Sequence, residues 1–238
     1  VLVCGDSGAV LDCLGGAVPR LMYVRRSVAM VEESWHSLGM RGSGSNDVVS
    51  EEAFVHNEHT CLLCTAAATD GPLYEPRTVT ATGWTPFAAM GLGIARGAMD
   101  TFVRLATSSG STTSPTLIRD RTAVQTVVGE TEAIISGARA YALDAVGEMW
   151  ESASRGDLDP GPQILQARLA ITHAVRESVR AVDMLFYAAG TNAIHESNDL
   201  EQYFRDIHAA GQHIAALHSN FEYGGQLLLG LPHGASGW

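Results

Sequence analysis

Apolar and polar positions follow two different rhythms along the chain. Up to about residue 60, short apolar or β-branched runs at Val1–Cys4, Arg20–Val24 and Val28–Val31 are cut apart by Gly, Asp and Pro, and Val48–Val55 repeats the pattern around an acidic interruption. Runs of this length bounded by turn formers predict strands. From Ala81 onward the apolar spacing becomes helical. One segment runs from about Trp84 to Thr107 with Met90, Ile94, Ala98 and Phe102 along a face, and a second from about Arg119 to Ser154. A third runs from about Gln163 to Ala189, and a fourth begins near Asp199 and runs toward Leu217, with a continuation to Leu229 open. The breaks fall at Ser108–Ser111, Asp157–Pro162 and Gly190–Asn198, where Asp159-Pro160 and Asn198-Asp199 supply residues suited to capping the following helix.

This pattern predicts a mainly α chain. Residues 1–60 form an incomplete β domain, 61–80 a linker loop, and 81–238 an antiparallel four-helix bundle. Segments two and three are apolar around much of their girth, as in Ala181-Val-Asp-Met-Leu-Phe186, and a helix apolar on more than one face needs extra cover. Homo-oligomerisation, as a dimer or tetramer, is the expected source of it. Cover by the strand region is the alternative.

Composition narrows the partners. The 238 residues carry 15 basic against 26 acidic side chains, a formal net charge of −11, so a phosphate backbone is not an expected partner. No apolar run approaches the length of a membrane span and no leader pattern is present, so a cytoplasmic location is expected. Cys61 and Cys64 follow His56 and His59 closely, a spacing that zinc sites use, but the ligand types lie on one continuous segment instead of two knuckles. Buried thiols beside a His-bearing turn are the preferred reading. No metal is expected, and no disulfide either.

Three strings carry the chain beyond pattern: Trp35-His-Ser-Leu-Gly-Met-Arg-Gly-Ser-Gly-Ser-Asn-Asp47, Gly91-Leu-Gly-Ile-Ala-Arg-Gly-Ala-Met-Asp100, and Ala188-Ala-Gly-Thr-Asn-Ala-Ile194 followed by Phe204-Arg-Asp-Ile-His-Ala-Ala-Gly-Gln-His213. In this order and spacing they resemble the acyl-CoA dehydrogenase superfamily, and within it the oxygenase components of two-component flavin-dependent monooxygenases that act on aromatic and polyketide substrates. The resemblance implies the end of that family's middle β domain and its whole C-terminal helical domain. Full members carry an N-terminal helical domain and further β strands ahead of this point. The chain is therefore expected to be either a fragment or a naturally shortened member, whose activity would then require a partner chain or a different chemistry.

Counted from Arg205-Asp206, the position of the dehydrogenases' catalytic Glu falls on Ile214, which has no basic atom, and the preceding position on His213. The monooxygenase branch has a catalytic His there. A His that titrates near neutrality can take a phenolic proton or hydrogen-bond the oxygen being transferred, so the resemblance implies His213 as base or hydrogen-bond partner. It further implies Arg121 and Gln125 along the flavin, and Gly190, Thr191 and Asn192 as a turn that approaches flavin from a neighbouring subunit. Gly190 also reads as an ordinary cap ending segment three. The Arg that dehydrogenases use for the pyrophosphate falls on Ser114, which fits a flavin borrowed in reduced form, FMNH2 or FADH2, from a separate reductase. Ser43–Asp47 reads as a turn between strands. His208, about 140° round the same predicted helix from His213, is expected to be solvated or interfacial like His218, and His195 has no implied role. The implied activity is hydroxylation of an aromatic or polyketide-like substrate. A truncated, non-catalytic scaffold is the alternative, and an acyl-CoA dehydrogenase a more distant one.

Overall fold

The computed structural model describes residues 20–51, 53–62, 69–75, 78–111, 114–156 and 162–231. Chain contacts divide it into two units, one of residues 1–36 and 42–69, the other of residues 37–41 and 70–238.

In the first unit β1 (Arg20–Met22) pairs antiparallel with β4 (Thr60–Leu62), and β2 (Met30–Glu32) pairs with β3 (Asp47–Val49) so that Met30 faces Val49. The strands at Arg20–Val24 and Val28–Val31 form where the sequence predicts them. Val48–Val55 contributes only its first residues, and Val1–Cys4 lies outside the described residues. No described side chain of this unit is buried, and Tyr23, Met30, Val48 and Phe54 are more than half exposed. Among the described residues these strands present apolar faces and no core of their own. Ser43–Asp47 is part of a wide connection, not a tight hairpin: Asn46 accepts from the Trp35 N–H at 2.9 Å and Ser34 from that of Asp47 at 3.0 Å.

The second unit is helical: α1 (Val79–Ser108), a hairpin of β5 (Gly110–Ser111) and β6 (Ser114–Leu117), α2 (Thr122–Arg155), α3 (Pro162–Ala189), α4 (Asp199–Ala210) and α5 (Ser219–Leu228). Segments one to three match these helices to within a few residues. Asn198 caps α4, accepting from the Leu200 N–H, whereas Asp159-Pro160 lies outside the described residues. The α2–α3 pairs run antiparallel, Ser152 with Gln163, Tyr141 with Gln166 and Glu130 with Arg180. Segment four departs from the continuous helix: the chain leaves α4 after Ala210, makes a 3-10 turn at Ile214–Ala216 and restarts as α5. Glycines at 211, 224 and 225 weaken a long helix there.

Helix α3 is apolar on several faces because it is central. Ala167, Ile171, Ala174, Val175, Val182 and Leu185 are essentially inaccessible, and α1, α2, α4 and α5 all pack on it. At these positions the cover for segment three comes from the other helices of the same unit. Helix α2 is different: Leu143 and Trp150 remain exposed.

Close approach explains two glycines. A Cβ at Gly97 of α1 would lie 2.8 Å from the Tyr203 hydroxyl of α4, and one at Gly39 would lie 2.1 Å from the Arg205 carbonyl oxygen. Segment 37–41 is thus pressed onto α4. There the Met40 N–H donates to Asp206 at 2.6 Å, with Met40 at φ 53°, and Arg205, paired with Glu201, donates to the Leu38 carbonyl at 3.0 Å. Overpacking against backbone costs more than overpacking against the end of a side chain. Gly39→Ala is expected to destabilise the protein by about 1–3 kcal/mol, and Gly97→Ala by less, in urea unfolding. Equal, negligible losses would contradict the contact.

Candidate active site

The break after α4 takes His213 off the helix. His213 is extended (φ −64°, ψ 147°) and caps the 3-10 turn, its Nδ1 accepting the Ala215 N–H at 3.2 Å. Its ring stacks on Phe87 of α1 at 3.6 Å between centroids and 11° between planes, and meets Trp84 edge-on at 6.3 Å. Burial in this aromatic setting pushes its pKa below the ordinary histidine value, because the charged ring loses hydration. The neutral ring therefore prevails. With Nδ1 occupied as acceptor, the ring proton resides on Nε2, which is a donor. Sequence reasoning missed Trp84 and Phe87. Their three-residue spacing at the start of an amphipathic helix was the available signal.

His208 is neither simply solvated nor idle. Its Nε2 is 2.8 Å from Asp183 of α3 and its ring 4.4 Å from Phe204, so it ties α4 to α3. With His213 off the helix, the angular offset between the two no longer applies. His218 accepts from Arg176 at 2.8 Å, and His195 is exposed. Cys61 is an exposed free thiol, not a buried one, His56 and His59 are exposed, and Cys4, Cys13 and Cys64 lie outside the described residues. Among the described residues no group of three His, Cys, Asp or Glu side chains is placed to hold a metal.

The residues implied for flavin gather at the other end of α3. Arg121 precedes the first turn of α2 and makes no side-chain ion pair among the described residues, while Gln125 donates to the Arg119 carbonyl at 3.1 Å. Gly190 follows the last residue of α3 at φ 60°, with open space where a Cβ would stand, and leads into a 3-10 turn through Ile194. Thr191 is exposed, and Asn192 donates to the Ala189 carbonyl at 3.2 Å. Because α2 and α3 run antiparallel, the start of α2 lies beside the end of α3, and Val124, Ala189 and Ala193 share one core cluster. A guanidinium and an accessible glycine backbone suit a phosphate, so this set fits the nucleotide end of a flavin. His213 is not brought to it. Its turn meets α3 at Thr172, about 25 Å along the helix from Ala189 at 1.5 Å per residue.

Between α1 and α2 runs an apolar groove of about 710 Å³, lined by Ala88, Leu92, Leu143, Val146 and Trp150 and flanked by Arg96 and Arg139. Arg96 there forms a paired contact with Glu132 at 2.6 and 2.9 Å, which holds that carboxyl down at about 2. His213 and Phe87 do not line this groove.

Residues 85–217 match the family profile described as Acyl-CoA dehydrogenase, C-terminal domain. The chain is similar to the indole-3-acetate monooxygenase of Pseudomonas putida, 30% identical over 90% of this chain and 54% of that one. It is also similar to the flavin-dependent monooxygenase, oxygenase subunit HsaA, of Rhodococcus jostii, 25% identical over 87% and 55%. Among solved structures, XiaF from Streptomyces sp. in complex with FADH2 and glycerol superposes with a TM-score of 0.80 at 26% identity, over 93% of this chain and 58% of that one. The chain spans about half the length of the curated relatives it matches. By the span of its helical match, the chain belongs to the acyl-CoA dehydrogenase family, through that family's C-terminal domain.

Proposed function

We propose that this chain acts as, or within, the oxygenase component of a two-component flavin-dependent monooxygenase of the cytoplasm. It hydroxylates a small aromatic substrate with O2 and reduced flavin, FMNH2 or FADH2, received from a separate reductase. The observation that carries this reading is His213, a neutral imidazole set between Phe87 and Trp84 in the turn after Arg205-Asp206, with Ile214 where a dehydrogenase would need a carboxylate. The names of the relatives support it: one is an indole-3-acetate monooxygenase, acting on an aromatic compound, and another is the oxygenase subunit of a flavin-dependent monooxygenase.

The bound flavin would supply the electrons that activate O2. The chain's own contribution follows from its residues. Phe87 and Trp84 offer an aromatic wall that keeps water away and suits an aromatic substrate. His213 presents Nε2–H as a donor, which orients a phenolic oxygen and stabilises charge growing on it. Of the two roles the resemblance implies, donor is favoured over base, because accepting a proton on Nε2 requires the ring to change tautomer and give up Ala215. Arg121 and the Gly190–Asn192 turn hold the phosphate end of a flavin. Their separation from His213 along α3 favours a homo-oligomer in which one copy's turn serves another copy's His213.

Three outcomes test this reading. With a flavin reductase, O2 and indole-3-acetate or simple phenols as probes, mass spectrometry is expected to find one oxygen atom from isotopically labelled O2 in the product. His213→Ala should lower kcat by roughly 10²–10⁴-fold, with His213→Gln, a neutral donor, retaining more. A well-folded chain that neither binds flavin nor incorporates oxygen would leave the non-catalytic scaffold as the reading.

The depressed His213 pKa predicts a stability trend. The unfolded chain protonates this His near 6.5 and the folded chain only at lower pH, so its contribution is present above about 6.5 and declines as pH falls toward the folded midpoint. Urea midpoints measured across that window should fall less steeply in His213→Gln. An unchanged slope would contradict burial of the ring.

For assembly, light scattering is expected to give a dimer or tetramer. Leu143→Glu, at the exposed rim of the α1–α2 groove, should lower that order. A monomeric wild type would remove the shared-site arrangement.

A further inference from the structure

Beneath the His213 turn lies a buried polar group that no part of the proposed chemistry uses. Arg168 and Thr172 of α3 and Asn220 of α5 are 6%, 0% and 2% exposed. Asn220 Nδ2 donates to the Ile214 carbonyl and to Thr172 Oγ1, each at 3.0 Å. Thr172 Oγ1 donates to the Ala215 carbonyl at 2.8 Å. Asn220 Oδ1 receives Arg168 Nε at 3.2 Å and Nη2 at 2.9 Å, and the guanidinium lies 4.3 Å over the Tyr223 ring.

Peptide planarity gives this arrangement a consequence. The Ile214 carbonyl and the Ala215 N–H belong to one rigid peptide unit, so a donor fixed on the carbonyl fixes where the N–H points. That N–H is the one His213 Nδ1 accepts. Thr172 holds the next carbonyl, so the peptides on both sides of Ala215 are gripped from below. The chain of polarisation runs from the Arg168 guanidinium through the Asn220 amide to the Ile214 carbonyl, and then from the Ala215 N–H to the imidazole. Each bond in such a chain strengthens the next.

We infer that Arg168, Asn220 and Thr172 are positioning residues that select the Nε2–H tautomer of His213 and hold its ring against Phe87, acting through the 214–215 peptide. The inference rests on the reading of His213 as the reacting donor, and it concerns how that donor is set, not whether oxygen is transferred.

The test reads the ring directly. In the full chain, 15N NMR of the imidazole is expected to show the Nε2–H tautomer in the wild type. Asn220→Asp keeps the oxygen toward Arg168 and removes both amide donors, and Thr172→Val removes one hydroxyl with little change of shape. Both should shift His213 toward a mixture of tautomers, and Thr172→Ser should restore the wild-type pattern. Where oxygenase activity is present, kcat should fall by roughly tenfold, the scale of one lost hydrogen bond, with KM little changed. An unaltered tautomer pattern in folded Thr172→Val and Asn220→Asp overturns the inference. If Asn220→Asp fails to fold, Thr172→Val alone decides. A tautomer shift in a chain that shows no oxygenation would uphold the positioning role while defeating the proposed function, so the two failures are distinguishable.

Discussion

Everything in the helical unit is registered against α3. A helix with no accessible side chain at Ala167, Ile171, Ala174, Val175 and Leu185 can only exist inside a ring of partners, and each partner reads its position from that surface. Small residues set the spacing: Gly91 of α1 approaches the backbone of Val175, and Gly224 of α5 lies close to Leu165 and Leu169. The core is close-packed at these crossings, so displacing one helix strains the others. The same helix carries Thr172 under the His213 turn and Ala189 before the flavin-type turn. The distance between the two candidate halves of a site is thus a property of one rigid element.

That rigidity fits the place of the candidate site residues His213 and Gly190–Asn192 in breaks, not in α-helices. A helical His213 would have its side chain directed by the helix axis and its backbone tied up in the ladder. Leaving the helix frees an N–H, that of Ala215, to meet Nδ1. The cost is a set of turn carbonyls that need donors in a dry environment, since an unsatisfied buried carbonyl is expensive. Thr172 and Asn220 satisfy them. A buried Arg beside them would otherwise be hard to justify in a core this apolar, and burial does push its pKa down.

Much of this was legible in the sequence, for definite reasons. Helices α1 to α3 declare themselves because their apolar positions recur with helical spacing over many turns, and Asn198 reads as a cap because a helix start needs an acceptor. His213 was singled out as a candidate through its place after Arg205-Asp206. The end of α4 was only half legible: Gly211 weakens a helix there, but a single glycine does not fix a break, and the turn that follows is held by contacts with α3 and α5. The Thr172–Asn220 contact was invisible for the same reason: it joins residues far apart in sequence through one hydroxyl and one amide. The buried faces of segment three were legible as covered but not by what, since periodicity reports how many faces are covered, and here the other helices supply that cover. The strands were over-read in length, because β-branched runs mark pairing potential and pairing here stops after three residues.

The Arg205-Asp206 pair, so prominent among the motif residues, gains a physical meaning that is not chemical. Asp206 accepts the Met40 N–H, Arg205 donates to Leu38, and Gly39 leaves room for the Arg205 carbonyl, so the pair fastens α4 to segment 37–41. One turn on, His208 fastens the same helix to Asp183 of α3. Beyond the end of the helix, Thr172 and Asn220 take hold of the turn itself. Each fastening alone leaves the helix free to pivot about it. Three along one short segment do not, and the ring at its end is set against Phe87. On this view the Arg-Asp pair stands close to the candidate position of His213 because it holds the lever on which that position is mounted.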